Sequence, residues 1–371
     1  MTIIVAAQIP STPAFADSVR ERQWYLRSLN IAQSQAITTG SGVIVAVLDS
    51  GTYPHPDIKR NLLTGSDQTP SGPGDGRSDS DGHGTRMAAL IAGHGRGSVT
   101  GIQGIAPSAK ILPVDITNDG RGHSDLMAKG VSWASSKSAR VINISGAAGP
   151  GFELQDAIND AIKADIVIVA ATGNTSSDAI INYPAAFDGV LAVGSTGRNG
   201  KYSSSSVKDD KVQICAPGVD IISAQPPDSY GSATGTSDST AIVSGAAALI
   251  RAKFPRLTAI EVIHRLTATA DDVGTPGRDD ECGFGRLNIV KALTADVPPL
   301  EGEATTRPGS SSAATSAPGA IRPEVVAPST TPRAETEPVG NNNVLLWGGV
   351  AGVVAAAGVL IAFALLRRRR S

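Results

Sequence analysis

Three side chains in the sequence could form a nucleophilic catalytic site. Ser237 lies in "GTSDSTAIVSG", where a Gly-Thr-Ser entry leads into an apolar run typical of a helix. His83 lies between two glycines in "DGHGT", before another apolar helical run, and we expect these glycines to let a substrate approach the imidazole. Asp49 ends the apolar run "GVIVAVLD". A serine that attacks a carbonyl needs a base to take its proton and a carboxylate to orient that base. We therefore predict that these three residues act together.

Each of the three residues has an ordinary structural explanation when it is considered alone. A serine at a helix start is most often an N-cap, and an aspartate after a strand is most often a turn or cap residue. The chain order Asp, His, Ser is one of the known orders of such triads, and the Gly-x-Ser-x-Gly motif of α/β-hydrolases is absent around Ser237. The combination therefore favours catalysis over three unrelated caps.

The elements that must position these residues alternate between buried strands and helices. Strands are predicted at 42–49, 110–116, 139–145, 164–172, 189–196 and 212–218, and helices at 83–95, 124–136, 153–164, 238–254 and 258–270. Continuous Val/Ile runs between helices indicate an α/β fold, a mostly parallel twisted sheet with helices on both faces. Sites in such sheets form past the carboxyl ends of the strands, where Asp49 lies.

Charge and metal-ligand content narrow the range of partners. The net charge of −2 gives no electrostatic reason to expect a nucleic acid. His94 is predicted about 16 Å beyond His83 on the same helix, too far to share a metal ion. No metal site is predicted and no cofactor is required, although structural calcium stays open. The two cysteines, Cys215 and Cys282, form either one disulfide or two buried free thiols without a catalytic role.

The C-terminal part of the chain predicts a linker and a membrane anchor. Residues 297–343 are rich in Pro, Ser and Thr and have no apolar period, so they predict a disordered linker. Residues 344–366 carry no charge and are long enough to span a bilayer, whereas a buried soluble helix is the alternative. The arginines in 367–371 predict a cytoplasmic tail, which places the predicted domain at 17–296 outside the cytoplasm at the cell membrane.

The N-terminus fits this topology only in part. Ala14-Phe15-Ala16 has the pattern of a signal-peptidase site, but residues 1–16 lack a basic region and have a short apolar run. We interpret residues 1–16 as the remnant of a longer signal peptide. The alternative is a tail-anchored peptidase whose large domain is cytoplasmic, which would require the C-terminal arginines to cross the membrane.

The motifs resemble those of the subtilisin-like serine proteases, the subtilase family. "VAVLDSG", "DGHGT" and "GTSDSTAIVSG" are similar to its aspartate, histidine and serine motifs, and "AATGN" is similar to its oxyanion segment. The resemblance implies a nucleophile at Ser237, a general base at His83 and an orienting carboxylate at Asp49. It also implies an oxyanion donor at Asn174. The predicted strand 139–145 resembles the edge strand that pairs with an extended substrate in this family, which implies substrate backbone binding by strand addition at Ser145 and Gly146.

The order of the predicted segments resembles the mycosins, the membrane-anchored subtilases of type VII secretion. This resemblance implies a protein or peptide substrate, secretion-complex membrane proteins as partners, and contact with membrane lipid through one helix. Two departures from the subtilase pattern are Ala241, where the family has a proline, and Gly146, where it has a larger apolar residue. The alternative function is a largely structural component of a secretion complex with little proteolytic turnover.

Overall fold

The structure is a computed structural model that describes residues 19–300, apart from 71, 98, 119–120 and 179. The predicted signal-peptide remnant 1–16, the predicted membrane segment 344–366 and the tail 367–371 lie outside the described residues, as does the predicted linker from residue 301 onward. Within the described residues, no helix is both long enough and apolar enough to cross a membrane.

Parallel strands make up the central sheet. The strands are β1 (Ile44–Asp49), β2 (Ser66–Asp67), β3 (Lys110–Asp115), β4 (Thr117–Asn118), β5 (Arg121–Gly122), β6 (Val141–Ile144), β7 (Val167–Ala171), β8 (Leu191–Thr196), β9 (Ile214–Pro217), β10 (Ile221–Gln225) and β11 (Ser229–Ala233). Seven of them pair in the order β2-β3-β1-β6-β7-β8-β9. Every pairing in this sheet is parallel, which confirms the predicted α/β class.

Helices cover both faces of the sheet, as predicted. They are α1 (Trp24–Ser28), α2 (Ile31–Ile37), α3 (His83–Ala92), α4 (Ser124–Ser136), α5 (Phe152–Lys163), α6 (Thr236–Lys253), α7 (Ala259–Ala268) and α8 (Ile289–Thr294). Alternate strand residues point to opposite faces, so Val45 and Val47 pack with the core of α3 and α6. Ala46 and Leu48 pack with the core of α4 and α5 on the other face.

Helix α6 is the buried helix at the centre of one face. It contacts β6, β7, β8 and β9, and its side chains from Thr236 to Arg251 are buried except for Ser237. Its hydroxyl groups are satisfied internally, since Ser239 Oγ donates to the Ala216 carbonyl (2.9 Å) and Ser244 Oγ to Asn143 Oδ1 (2.9 Å). The small side chains of this stretch therefore allow close packing against the sheet.

Sequence reasoning missed several short elements and extended one helix too far. The helices α1, α2 and α8 and the antiparallel pairs β4–β5 and β10–β11 were not predicted. They are short, and β11 reads "SYGSA", without an apolar alternation. Helix α3 ends at Ala92, where Gly93 donates its N–H to the Ala89 carbonyl, so the prediction that His94 continues the helix is wrong.

The two cysteines are joined in a disulfide. Cys215 lies in β9 and Cys282 lies 67 residues later, and both side chains are buried. The segment around Arg286 runs beside the same strand, where the Cys215 N–H donates to the Gly285 carbonyl (2.9 Å) and Leu287 N–H donates to the Cys215 carbonyl (2.8 Å). Covalent and backbone bonds thus fasten this late segment to the last strand of the sheet.

Candidate active site

The predicted catalytic residues lie on three elements that meet at the carboxyl ends of the parallel strands. Asp49 is the last residue of β1, His83 is the first residue of α3, and Ser237 is the second residue of α6. Both helices begin at this end of the sheet. The first-turn backbone N–H groups of both helices have no intrahelical acceptor, which makes the site favourable for developing negative charge.

His83 and Asp49 are directly hydrogen-bonded. His83 Nδ1 lies 2.8 Å from Asp49 Oδ1, and the Asp49 side chain is only 5% exposed. The same carboxylate oxygen accepts the Ser50 backbone N–H at 2.9 Å. Because a carboxylate accepts and does not donate, Nδ1 carries a proton, and in the neutral imidazole Nε2 is then the acceptor. This is the tautomer that a general base for Ser237 requires.

The pKa of His83 is set by two opposing effects. Burial lowers it, but the negative charge of Asp49 and the hydrogen bond that His83 donates to Asp49 outweigh burial and raise the pKa of His83 to about 9. The charges of Asp238 and Asp81 act in the same direction, more weakly. The imidazole is therefore a stronger base than an ordinary histidine, and its charged form is well stabilised.

Ser237 and Ser145 exchange two hydrogen bonds across the cleft. Ser237 Oγ donates to the Ser145 carbonyl (3.0 Å), and Ser145 Oγ donates to the Ser237 carbonyl (3.0 Å). Within the described residues, Ser237 Oγ makes no hydrogen bond to His83. Catalytic hydrogen bonds often form only in the substrate complex, so this arrangement is compatible with Ser237 as a nucleophile.

Asn174 lies next to the start of α6, in the loop after β7. Its side-chain Oδ1 accepts the Thr236 N–H at 3.0 Å, and its backbone N–H donates to Asp178 Oδ2 at 3.0 Å. Because Oδ1 faces a donor, the Nδ2 group is the part of the amide left for another acceptor. The Nδ2 group of Asn174 and the backbone N–H of Ser237 could supply the two donors that an oxyanion hole needs.

A cleft of about 450 Å³ opens beside His83. Ser145 and Gly146 line it, together with residues of the β4–β5 hairpin. The expectation that β6 is an edge strand is wrong, because β6 lies between β1 and β7. Only the residues past its end are open, and a side chain added to Gly146 would meet no atom within 4 Å. An extended peptide can therefore approach Ser145 and Gly146 but not β6 itself.

The glycine after His83 serves close packing. The sequence suggested that it gives a substrate access to the imidazole. Instead, a Cβ on Gly84 would lie 1.9 Å from the Gly51 carbonyl oxygen, so only glycine fits where the first turn of α3 meets the turn after β1. This contact brings the histidine and aspartate motifs together.

Asp79 is a buried residue that sequence reasoning missed. Its Oδ1 accepts Ser50 Oγ (2.9 Å) and the Gly82 N–H (2.7 Å), and its Oδ2 accepts both the N–H (2.8 Å) and the hydroxyl (2.6 Å) of Thr85. The carboxylate thus ties the turn after β1 to the loop and first turn that carry His83. The available signal was an Asp four residues before the histidine in a Ser/Asp-rich loop.

Two clusters of ionisable side chains outside the predicted triad are largely buried. Arg86 and Asp238 form an ion pair beneath the site, at 3.0 Å. Away from the site, His55 and Asp57 are fully buried, and Asp57 accepts Arg96 Nε at 2.8 Å. Within the described ranges, no group of three or more His, Cys, Asp or Glu side chains is arranged to hold a metal ion.

A serine, a carboxylate-bound histidine and two amide donors at the carboxyl end of a parallel sheet define a serine hydrolase of the α/β class. A profile of the subtilase family matches residues 40–285 of the chain. Subtilisin BL from Lederbergia lenta is 38% identical over 239 residues, 64% of this chain and 86% of that protein.

Solved structures show the same similarity. MycP1 from Mycobacterium smegmatis is 32% identical with a TM-score of 0.68, over 78% of this chain and 88% of that one. MycP3, a protease from the type VII (ESX-3) secretion system, is 31% identical with a TM-score of 0.65, over 78% and 91% of the two chains. The chain belongs to the subtilase family, which confirms the resemblance seen in its motifs. It is a serine-type endopeptidase.

Proposed function

We propose that the protein is a membrane-anchored serine endopeptidase that cleaves peptide bonds through an acyl-enzyme and serves type VII protein secretion. The observation that carries the catalytic part is the 2.8 Å hydrogen bond between His83 and Asp49, with Ser237 at the start of the adjoining helix. The secretion part is supported by the similarity to MycP1 and MycP3. The anchor is supported by the uncharged segment 344–366 and the arginines that follow it.

The proposed reaction has two stages. Ser237 Oγ gives its proton to His83 Nε2 and forms a bond to the scissile carbonyl carbon, while Asn174 Nδ2 and the Ser237 N–H stabilise the oxyanion. His83 then passes the proton to the amide nitrogen of the leaving peptide, and the C–N bond breaks. A water molecule releases the acyl group by the same steps in reverse. Asp49 orients the imidazole and stabilises its charged form throughout.

The substrate in this proposal is a polypeptide in extended form. Its backbone lies along Ser145 and Gly146, which line the cleft past the end of β6, where Gly146 is exposed and Ser145 is buried beside it. The small residue at 146 leaves the wall of the cleft open where subtilases have a larger side chain. We therefore propose that the site accepts bulkier side chains at this wall.

The proposal is tested in the native host by replacing the chromosomal gene with wild-type, Ser237→Ala or no coding sequence. The proposal predicts that the wild-type chain fractionates with the membrane, that removal of 344–371 releases it, and that its large domain is accessible to external protease. A chain that stays soluble with its C-terminus intact contradicts the anchor.

The structural alternative makes a different prediction in the same strains. A component that acts as a scaffold supports secretion when Ser237 is alanine and fails only when the whole protein is deleted. Processing of a secreted substrate that disappears in the Ser237→Ala strain supports the peptidase. Both results together show that the protein does both tasks.

A further inference from the structure

A buried ion pair connects the two helices that carry the histidine and the serine. Arg86 lies three residues after His83 on α3, and Asp238 follows Ser237 directly on α6. Arg86 Nε donates to Asp238 Oδ1 at 3.0 Å, and the Nη2 atom lies 3.0 Å from the same oxygen. Both side chains are at most 5% exposed, so the pair is shielded from solvent.

All three guanidinium nitrogens of Arg86 donate hydrogen bonds. Arg86 Nη1 donates to the Gly231 carbonyl at 2.8 Å, and Nη2 donates to the Ile221 carbonyl at 2.5 Å. The Arg86 carbonyl in turn accepts Ser223 Oγ at 2.8 Å. Arg86 thus joins α3 to the β10–β11 hairpin as well as to α6. A rigid donor fork with all three of its nitrogens bonded is well suited to fix a distance between elements.

Asp238 also acts on the histidine through its charge. Its negative charge raises the pKa of His83 in addition to the larger effect of Asp49. Burial raises the pKa of the Asp238 carboxyl, and the charges of Arg86 and His83 oppose this effect. Within the described residues, only Oδ1 of Asp238 is hydrogen-bonded, so Arg86 does not engage the whole carboxylate.

The other charged and titratable groups around the pair come from β1, from the loop before α3 and from α1. Asp49, on β1, and Asp81, before α3, act on His83 with the same sign as Asp238. Tyr25 of α1 is fully buried near Arg86 and Asp238, and burial raises its pKa, so it stays neutral. Asp238 is therefore the buried charge, apart from Asp49, that the imidazolium faces.

We propose that Arg86 and Asp238 form a positioning pair that fixes the starts of α3 and α6 relative to each other, and that Asp238 supplies a second negative charge to the imidazolium formed during attack. The proposal rests on the catalytic roles proposed above for His83 and Ser237. It assigns neither Arg86 nor Asp238 a contact with the substrate. Asp49 orients the ring, and Asp238 adds charge without a bond to it.

The test compares two substitutions in the full-length protein. Asp238→Asn keeps an oxygen for Arg86 but removes the charge, so the acid limb of the kcat/KM–pH profile shifts down by about 0.5–1 pH unit while the plateau kcat changes little. Asp238→Ala removes both the charge and the link. It shifts the limb equally and lowers the plateau kcat roughly 10- to 100-fold with little change in KM.

A second ion pair on the same helix provides the control. Arg251 lies at the opposite end of α6 from Ser237 and pairs with Asp165 at 3.1 Å. Asp165→Asn lowers the melting temperature without moving the acid limb. If Asp238→Asn does not fold, the double variant Arg86→Met/Asp238→Ala leaves no unpaired buried charge and tests the positioning role through its plateau kcat, which falls roughly 10- to 100-fold.

The outcomes separate this proposal from the proposed function. An acid limb that stays in place in Asp238→Asn overturns the pair's electrostatic role, and so does an equal shift in Asp165→Asn. A wild-type plateau kcat in Asp238→Ala or in the double variant overturns its positioning role. Failure of all Asp238 variants to fold assigns the pair to stability alone and also overturns the proposal. If the wild-type protein has no activity, the proposed function fails. Titration of the His83 imidazole by NMR then measures the same shift directly.

Discussion

At the scale of single residues, the proposed mechanism makes the pH range of activity depend on the hydrogen bond between His83 and Asp49. Attack by Ser237 requires a neutral imidazole, because only then can Nε2 accept a proton. Asp49 raises the pKa of His83 to about 9 against the effect of burial. The group that activates the serine is therefore protonated over much of the neutral range in the free enzyme.

The pH dependence of the wild-type enzyme follows from this pKa. We expect kcat/KM for a peptide substrate to rise about tenfold per pH unit through the neutral range and to level off near pH 9. The raised pKa also stabilises the fold fully below the unfolded value of about 6.5. That contribution is lost as the pH rises to about 9, so the melting temperature falls in this window. A plateau of kcat/KM already at pH 7 would contradict the account.

Asn174 provides a second prediction at this scale. Asn174→Ala lowers kcat by about 10²–10³ with little effect on KM, a magnitude measured on a subtilisin. Asn174→Asp keeps the oxygen that accepts the Thr236 N–H but has no side-chain donor. We expect it to lose as much activity as the alanine variant, as measured by steady-state kinetics. An aspartate variant with near wild-type kcat would show that Asn174 only holds the helix start.

Residue types and local context were enough to select Asp49, His83 and Ser237 as candidates, and the resemblance to the subtilases added Asn174. They were not enough to find the groups that position them. Arg86 and Asp238 are 152 residues apart in the chain, and nothing in either local pattern indicates that they meet. The sequence around His83 suggested that Gly84 gives a substrate access to the imidazole. The structure shows a different reason, because Gly84 packs against the Gly51 carbonyl with no room for a side chain.

At the scale of elements, the site depends on the junction between β1 and α3. The loop before α3 has no regular structure, so its conformation depends on side-chain hydrogen bonds. Asp79 makes four of them and is only 6% exposed. A loop that positions a general base by a single buried carboxylate is sensitive to the loss of that group.

Substitution of Asp79 tests this junction. Asp79→Asn places an NH₂ group against donors, so we expect a loss of about 2–3 kcal/mol in the free energy of unfolding and a lower kcat. Urea denaturation measures the first and a peptide assay the second. Asp75→Asn, in the same loop but exposed, should change stability by less than about 0.5 kcal/mol. Equal effects of the two substitutions would contradict the assigned role of Asp79 in holding the junction between β1 and α3.

The long elements were predictable from the sequence and the short ones were not. Apolar runs such as 110–116 and 164–172 gave strands whose observed bounds, Lys110–Asp115 and Val167–Ala171, differ by a few residues. Burial on both faces produces such runs, which is why the parallel sheet was predictable. The β10–β11 hairpin has no comparable pattern, although its carbonyls hold Arg86. What marks this hairpin is its tertiary contact with Arg86, which the local sequence does not reveal.

At the scale of the whole molecule, the described residues contain one catalytic domain whose parts come from distant positions in the chain. The disulfide between Cys215 and Cys282 fastens the segment after α7 to the last strand of the sheet. The sequence left this pairing open, because distance in space is not visible from two cysteines alone. The order of motifs, by contrast, predicted the family correctly.

The predicted linker and membrane segment concern the molecule beyond the described residues. Their composition argues for a catalytic domain held near a membrane surface, which would restrict the enzyme to substrates that reach that surface. Residues 344–366 stay a prediction from length and lack of charge.

The most direct test of the central claim is covalent labelling of the full-length protein in detergent with a fluorophosphonate probe. A working site attacks the phosphorus through Ser237, so we predict stoichiometric labelling of the wild type. Ser237→Ala should give none, and Asp49→Asn should label far more slowly because the imidazole loses its orienting carboxylate. Labelling of Ser237→Ala at the wild-type rate, or no labelling of a folded wild-type protein, would contradict the assignment of Ser237 as the nucleophile.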